Sequence, residues 1–599
     1  MSGDYQIDSL LSGYKWQTNT ITFSFFNGGR YYGTETVSPV SEAIKQNVRY
    51  ILSNIIQPLI NVNFVEVSDS ESSYGQIRYM LSNNARYAYA YYPTGTNQAG
   101  DVFLNPDFDH NLDTNGFQGG VGTHGFMSLI HETLHGLGLK HPGFASEPPY
   151  LPSSEDNTTN SVMTYNFTGN SASNPMPYDI KALQYLYGAR SYNSGNTTYT
   201  FDTVFGYSDG SQYRGSTTKA TKLSIWDSGG VDTLNFSRLS TNDSYRFDLR
   251  EGGMLTSKSA YNGTSYEDWD DTTNTTYYTT TNGTAIAYGV TIENVIGSAS
   301  NDTIIGNDAA NNFNGGTGND YLQGNAGNDI LTGNTGNDTI DGGTGIDTVS
   351  YQSVTSAVNV NLATGIALDG QGGRDTLFNL EVINGSAYND TLIGNSGNNS
   401  FAGGRGNDVI NGDGGNDSFN GGLGNDTLNG GAGIDIVNYQ NATSAVNVNL
   451  GIGVGLDGQA GRDSLINMEV AIGSIYNDTL TGNTANNNLT GGNGNDLLNG
   501  GAGSDVLMGS AGNDTLYGGL NADNFVFSAV SQGIDVIKDF SRVGGDKIQI
   551  QSASFGATAT NLNLFTYNSA TGALNFNGNQ FATLNTNSGF QVTTDIIFI

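Results

Sequence analysis

Cysteine is absent from this 599-residue chain, proline occurs ten times, and lysine plus arginine number 22 against 56 aspartates and glutamates. Without thiols there are no disulfides in any redox compartment and no thiolate chemistry. A net charge of −34 makes a surface that repels nucleic acid and anionic membranes, so cation binding is the natural counterpart of solubility. No run approaches the roughly 18 apolar residues of a membrane span. The opening Met-Ser-Gly-Asp-Tyr-Gln-Ile-Asp has neither a basic stretch nor an apolar core, so neither a cleaved Sec-type signal nor an anchor is expected. At 63.2 kDa, with residue usage that shifts sharply along its length, the chain is expected to form several domains.

Histidine is scarce as well: there are five, all between His110 and His141. His131 to His141 reads His-Glu-Thr-Leu-His-Gly-Leu-Gly-Leu-Lys-His. On a helix His131 and His135 project from one face and can bind one Zn²⁺, while Glu132 can reach a metal-bound water. Gly138 lets the backbone turn left-handed, ending the helix so that His141 can reach the same ion, and Pro142 keeps the helix from resuming. From this composition His-Glu-x-x-His arises by chance on the order of once in a thousand such sequences, and the added Gly and His lower that to roughly one in a million. With the three-histidine set complete, His110 and His124 read as loop histidines. Gly120-Val121-Gly122-Thr123-His124-Gly125 matches G-x-G-x-x-G, but a nucleotide site would need a βαβ unit and an acidic ribose partner such as Glu147. A flexible turn into the histidine helix is the better reading.

Downstream lies Ser161-Val162-Met163-Thr164-Tyr165. A long zincin signature followed by a methionine turn marks the metzincins. The wider context, including Leu139-Lys140-His141-Pro142-Gly143 and Asp179-Ile180-Lys181-Ala182-Leu183-Gln184-Tyr185-Leu186-Tyr187-Gly188, resembles the serralysin branch. That resemblance implies that Met163 forms an apolar floor under the zinc site and that Tyr165 is an additional ligand that swings to bond the transition state. It also implies an edge strand that binds extended peptide by backbone pairing. Tyr87 to Tyr92 or Asp101 to Leu104 could be that strand, and either could equally be interior.

Residues 1–190 read as a mixed α+β catalytic domain that holds nine of the 22 basic residues. Strands are expected at Thr20–Phe26, Asn61–Val67, Tyr87–Tyr92 and Asp101–Leu104, and helices at Ser41–Ile56, Phe126–Leu137 and Tyr178–Tyr187. Residues 191–296, rich in Thr, Tyr, Gly and Asn, read as a β-rich bridge. Within it the segment from Tyr266-Glu267-Asp268-Trp269-Asp270-Asp271 through Thr281 looks like an inserted polar loop with no assigned function.

A nine-residue period governs 297–526. Residues 315–350 divide into GGTGNDYLQ, GNAGNDILT, GNTGNDTID and GGTGIDTVS, matching the calcium-binding G-G-x-G-x-D-x-U-x repeat of RTX proteins. Blocks at 297–350, 385–438 and 473–526 recur every 88 residues, joined by near-identical linkers of 34. Glycines allow a tight turn with inward carbonyls, Asp adds a carboxylate, and the apolar residue makes a short strand facing a narrow core. In an RTX β-roll two nonads form one coil, so aspartates 18 apart stack along an edge and Ca²⁺ lies between turns. Here those would be Asp302, Asp320 and Asp338 with Asp329 and Asp347 opposite; Asp390, Asp408 and Asp426 with Asp417 and Asp435; and Asp478, Asp496 and Asp514 with Asp505. Asn311, Asn399 and Asn487 stand where Asp is expected, so those sites should bind more weakly or end the ladder. High Gly and Asn content favours disorder without metal, and the strict apolar register favours folding with it.

Residues 527–599 read as a C-terminal β region ending Thr594-Asp595-Ile596-Ile597-Phe598-Ile599. An acidic residue followed by apolar ones resembles the uncleaved signal of type I (ABC) secretion, and a terminal core strand is the alternative. The resulting expectation is a multidomain, monomeric, extracellular zinc endopeptidase with one catalytic Zn²⁺, several structural Ca²⁺ and protein or peptide substrates. Glu132 would be its general base, and Tyr165 would stabilise the oxyanion. There is little room before Asp8-Ser9-Leu10-Leu11 for a propeptide. The rival class is a non-catalytic calcium-binding surface or adhesive RTX protein with a vestigial peptidase domain.

Overall fold

In Thr20-Ile21-Thr22-Phe23-Ser24-Phe25, apolar residues alternate with hydroxyl-bearing ones, so a strand turns Ile21, Phe23 and Phe25 to one face, and all three are buried. The computed structural model describes residues 1–143, 148–268, 275–458, 461–557, 559–586 and 588–599; Glu147 and residues 269–274 of the polar insertion lie outside these. The chain forms two compact units, Met1–Gly333 and Asn334–Ile599.

The first unit opens with a mixed sheet ordered Asn63–Glu66, Thr20–Phe25, Ile77–Ser82, Asp101–Leu104, Ala88–Ala90. Neighbours along this order are parallel except the last pair, where Ala88, Tyr89 and Ala90 run antiparallel to Leu104, Phe103 and Val102, and off the order Val37–Ser38 pairs antiparallel with Ser82 and Leu81. Asp101–Leu104 is therefore interior, and Ala88–Ala90 is the edge. The helix expected over Ser41–Ile56 is α-helical from Glu42 to Tyr50, capped by Ser41, and then widens to a π-helix over Ile51–Ile56. The wider turn carries Ile51, Leu52, Ile55 and Ile56 inward together. Helices His124–Gly136 and Pro177–Tyr187 complete this part.

The bridge is β structure whose parallel stacking starts upstream of Gly297. Thr233–Asn235 lies between Thr198–Thr203 and Asn294–Ile296, and the latter pairs onward with Asn312–Thr317. The polar insertion is a hairpin, Thr264–Glu267 against Thr276–Thr279. It packs on the loop before the methionine turn: the Tyr266 hydroxyl donates to Ser153 O at 2.8 Å, and Thr159 and Thr279 share a hydroxyl bond at 2.7 Å.

In the second unit residues 18 apart are parallel partners, with Phe401 beside Phe419 and Ile410 beside Leu428. These and Val437 are buried, so the eighth position of each nonad fills a core one side chain wide. Each linker adds a hairpin, Ile366–Leu368 against Arg374–Phe378 and Val454–Leu456 against Arg462–Ile466, and then rejoins the stack. At the C-terminus Ile596–Phe598 runs parallel to Lys547–Ile550, so the tail forms a paired strand here. Among the described residues no helix is long and apolar enough to cross a membrane.

Candidate metal centres

The helix that carries the histidines begins where the Thr123 hydroxyl accepts from the amide of Phe126. His124 is thus the first helical residue rather than a loop histidine. Its ring stacks on Tyr87 at 5.5 Å and meets Phe167 edge-on at 5.2 Å. His110 sits in a loop, where its Nδ1 accepts from the amide of Leu112. No strand leads directly into this helix from the Gly120–Gly125 turn, so the βαβ unit a nucleotide site requires is missing.

At its other end the helix closes in a Schellman turn. The Leu139 amide donates to Leu134 O at 3.0 Å and the Gly138 amide to His135 O at 2.9 Å, with Gly138 at φ +107°. A Cβ on Gly138 would lie 2.1 Å from Tyr14 O. The amide of Lys140 then donates to Leu10 O, tying the segment before His141 to the N-terminal stretch.

This turn brings His131, His135 and His141 together, the one group of three or more metal-competent side chains found among the described residues. His131 Nδ1 bonds Val162 O and His135 Nδ1 bonds Leu139 O, each at 2.7 Å. A carbonyl can only accept, so each Nδ1 holds the proton and each Nε2 lone pair points at the centre. His141 Nε2 lies 3.0 Å from both of the other Nε2 atoms. Tetrahedral Zn–N bonds of roughly 2.0–2.1 Å would set such nitrogens about 3.3 Å apart, so the donor set fits a zinc ion. Burial keeps all three imidazoles neutral, with His131 pushed down to about 4 and His135 to about 3.

Glu132 is buried, its Oε2 has no hydrogen-bond partner among the described residues, and burial pushes its carboxyl up to about 8. Tyr165 is half-exposed, with its ring 4.2 Å from that of His141, while Met163 is fully buried. Asp179 holds this turn, accepting from the Ser161 hydroxyl at 2.5 Å and the Val162 amide at 2.8 Å, and Val162 O in turn meets His131. The three histidines, Glu132, Tyr165, Phe167 and the edge strand Ala88–Ala90 line one cleft of about 370 Å³. Lys222, from the bridge, braces the loop that carries Tyr165. It is fully buried, and its Nζ donates to Thr168 O at 2.7 Å and the Thr158 hydroxyl at 3.2 Å.

The repeat aspartates form a ladder with a fixed rung. Asp408 Oδ1 accepts from the amide of Asp390, Asp426 from Asp408, Asp417 from Asn399 and Asp435 from Asp417, at 2.7–2.9 Å. Asp496, Asp505 and Asp514 repeat the bond with Asp478, Asn487 and Asp496, as do Asp320 and Asp329 with Asp302 and Asn311 in the first unit. The other oxygen, Oδ2, of Asp408, Asp417, Asp426, Asp435, Asp496, Asp505 and Asp514 is buried with no hydrogen-bond partner among the described residues. Each faces a glycyl cradle: a Cβ on Gly403 would lie 2.4 Å from Asp408 Oδ2 and 2.5 Å from Gly421 O. Burial, reinforced by neighbouring aspartates, raises Asp408 and Asp496 to about 7. A carboxylate converging with carbonyls in a buried pocket suits Ca²⁺.

At the first position of each block, Asp302, Asp390 and Asp478 also bond the Ser298, Ser386 and Ser474 hydroxyls. Asn311, Asn399 and Asn487 turn their amides to the carbonyls of Glu293, Glu381 and Glu469, so an N–H₂ group stands in for a cation there. Several rungs fall outside the aspartates read from sequence. The amides of Asp338 and Asp347 donate to Asp375 and Glu381, those of Asp426 and Asp435 to Asp463 and Glu469, and those of Asp505, Asp514 and Asp523 to Asp523, Asp535 and Asp546. A signal existed for three of them. Asp523 lies 18 after Asp505, and the linker stretches GQGGRDTLF and GQAGRDSLI keep the G-x-x-G-x-D-x-U spacing around Asp375 and Asp463.

Comparison with known proteins gives two family matches. The RTX calcium-binding nonapeptide repeat (4 copies) matches residues 289–322, 314–349, 381–410, 403–437, 472–507 and 499–529. Peptidase M10 serralysin C terminal matches residues 194–257. Similar proteins include Serralysin A of Dickeya chrysanthemi, 32% identical over 265 residues, covering 41% of this chain and 49% of the relative. Serralysin of Proteus mirabilis is 31% identical over 321 residues, 48% of this chain and 59% of the relative. Metallopeptidase AprA of Pseudomonas marginalis is 34% identical over 276 residues, 41% of this chain and 50% of the relative. The chain thus spans about half the length of the curated relatives it matches.

Proposed function

Starting from a chain of the serralysin type that carries RTX repeats, we propose that it is a secreted, calcium-stabilised zinc metalloendopeptidase. One observation carries this reading: three imidazole Nε2 atoms converge beside Glu132, whose Oε2 is buried with no hydrogen-bond partner among the described residues, in a cleft edged by a strand. A zinc ion held by His131, His135 and His141 would activate a water and polarise the scissile carbonyl. Glu132 takes the proton of the attacking water and hands it to the leaving amine; its burial raises its basicity toward neutral pH. Tyr165 supplies a hydroxyl donor to the oxyanion, and Met163 gives the histidines an apolar floor. The outer edge of Ala88–Ala90 receives extended substrate by backbone pairing. Export by a type I machinery, with folding outside the cell on calcium, accords with the acidic repeats and the Asp595–Ile599 tail. The domain limits are 1–190, 191–296, 297–526 and 527–599.

Glu132→Ala tests the assignment: caseinolysis is expected to vanish while one zinc per chain remains bound, and undiminished hydrolysis would overturn it. A vestigial domain on a calcium-binding adhesive scaffold is the alternative reading. The intact set of three histidines and Glu132 weighs against that reading, and a chelator-sensitive peptidase assay separates the two.

A further inference from the structure

In a nonad one aspartate does two jobs: Oδ1 caps the amide one coil back, and Oδ2 enters the cradle beside a glycyl carbonyl. In the linkers the two jobs fall to different residues. Asp375 caps Asp338 with Oδ1, but its Oδ2 is taken by the Tyr351 hydroxyl at 3.0 Å. Asp463 is taken in the same way by Tyr439 at 2.7 Å.

The cradle position is filled by another carboxylate six residues earlier. Asp369 is fully buried; its Oδ1 accepts from the amides of Gln371 and Gly373 at 2.8 and 2.7 Å, and its Oδ2 has no hydrogen-bond partner among the described residues. That oxygen faces a glycyl carbonyl across a gap only glycine leaves open. A Cβ on Gly373 would lie 2.4 Å from Asp369 Oδ2 and 2.0 Å from Gly336 O. The arrangement recurs one module on, where a Cβ on Gly461 would lie 2.3 Å from Asp457 Oδ2 and 2.2 Å from Gly424 O. Both have the form of the Gly403–Asp408–Gly421 cradle, yet Asp369 and Asp457 lie outside the residues matched to the calcium repeat.

We propose that Asp369 and Asp457 each hold a further calcium ion, against the carbonyls of Gly336 and Gly424, so that each linker carries a calcium site of its own. This rests on the reading that the nonads bind calcium. At Asp369 a buried carboxylate oxygen left without a donor is costly unless a cation reaches it, and in both linkers a carboxylate oxygen and a carbonyl oxygen converging on one gap are a hard-cation pair.

The test uses the full chain at saturating calcium, with bound calcium counted by equilibrium dialysis and elemental analysis. Asp369→Asn and Asp457→Asn are each expected to lose one calcium per chain and the double variant two, while Asp308→Asn, at an exposed position, loses none. An unchanged count in the folded double variant, with nonad calcium still bound, overturns the linker sites alone. A wild-type chain that binds no calcium overturns the underlying reading as well. If the variants fail to fold, crystals of the wild-type chain grown with terbium decide: an anomalous peak between Asp369 Oδ2 and Gly336 O supports the site, and peaks confined to the nonads refute it.

Discussion

Lys222 shows how far one residue's environment can depart from its sequence context. Nothing in Thr221-Lys222-Leu223-Ser224 marks this lysine as buried, yet it is fully enclosed, its hydrogen bonds go to threonine oxygens, and burial pushes its ammonium down to about 7 from 10.5. Between those two values the unfolded chain holds a proton that the folded one has released, so stability rises with pH across that window. The slope is about 1.4 kcal/mol per pH unit for one such group. Thermal unfolding from pH 7 to 9, with calcium saturating, should show the wild type gaining stability relative to Lys222→Met; parallel pH profiles would refute this. The candidate metal-site residues were legible because their spacing is their geometry: His131, His135 and Glu132 follow from helical period alone. The partners that fix them, Val162 O and Leu139 O, are backbone atoms and leave no mark in residue identity.

Among the elements, the turn after the histidine helix was readable from Gly138, and the structure adds why no other residue serves. At φ +107°, with Tyr14 O 2.1 Å from the position of a Cβ, Gly138→Ala meets strain and a collision together. We expect a loss of roughly 1–3 kcal/mol or more and a drop in bound zinc as His141 is displaced. Calorimetry and metal analysis check both, and a variant with wild-type melting and zinc content would show that the turn tolerates a side chain. The choice between Tyr87–Tyr92 and Asp101–Leu104 as edge strand was open in the sequence because both are short and apolar on each face. Only the pairing of Asp101–Leu104 on two sides decides it. His124 read as a loop residue because the cap is Thr123, two positions earlier than the apolar pattern from Phe126 suggests. The linkers hid their ladder rungs because a hairpin breaks the nine-residue count while conserving the coil's position in space.

At the largest scale, the nine-residue period announced a β-roll, and within each unit the structure carries parallel stacking beyond the nonads, into the bridge in the first and into the C-terminal region in the second, where no period survives to be read. Its buried carboxylates make a calcium-free stack costly, and salt cannot replace the ion, because screening acts over about 8 Å through solvent and not inside a cradle. A chelator should therefore collapse the strand signal of the full chain in circular dichroism, with recovery on added calcium and none in sodium chloride. A spectrum indifferent to chelation would count against calcium-dependent folding. The rungs of the second unit run in two directions. Each repeat carboxylate reaches back to the amide of the coil before it, as Asp426 does for Asp408, while asparagines reach forward, Asn407 Oδ1 accepting from the amide of Asn425. A nick or truncation therefore strips carboxylate caps from the coil on its N-terminal side and asparagine caps from the coil on its C-terminal side. The stack is laced from both sides, so a cut loosens both of the ends it creates.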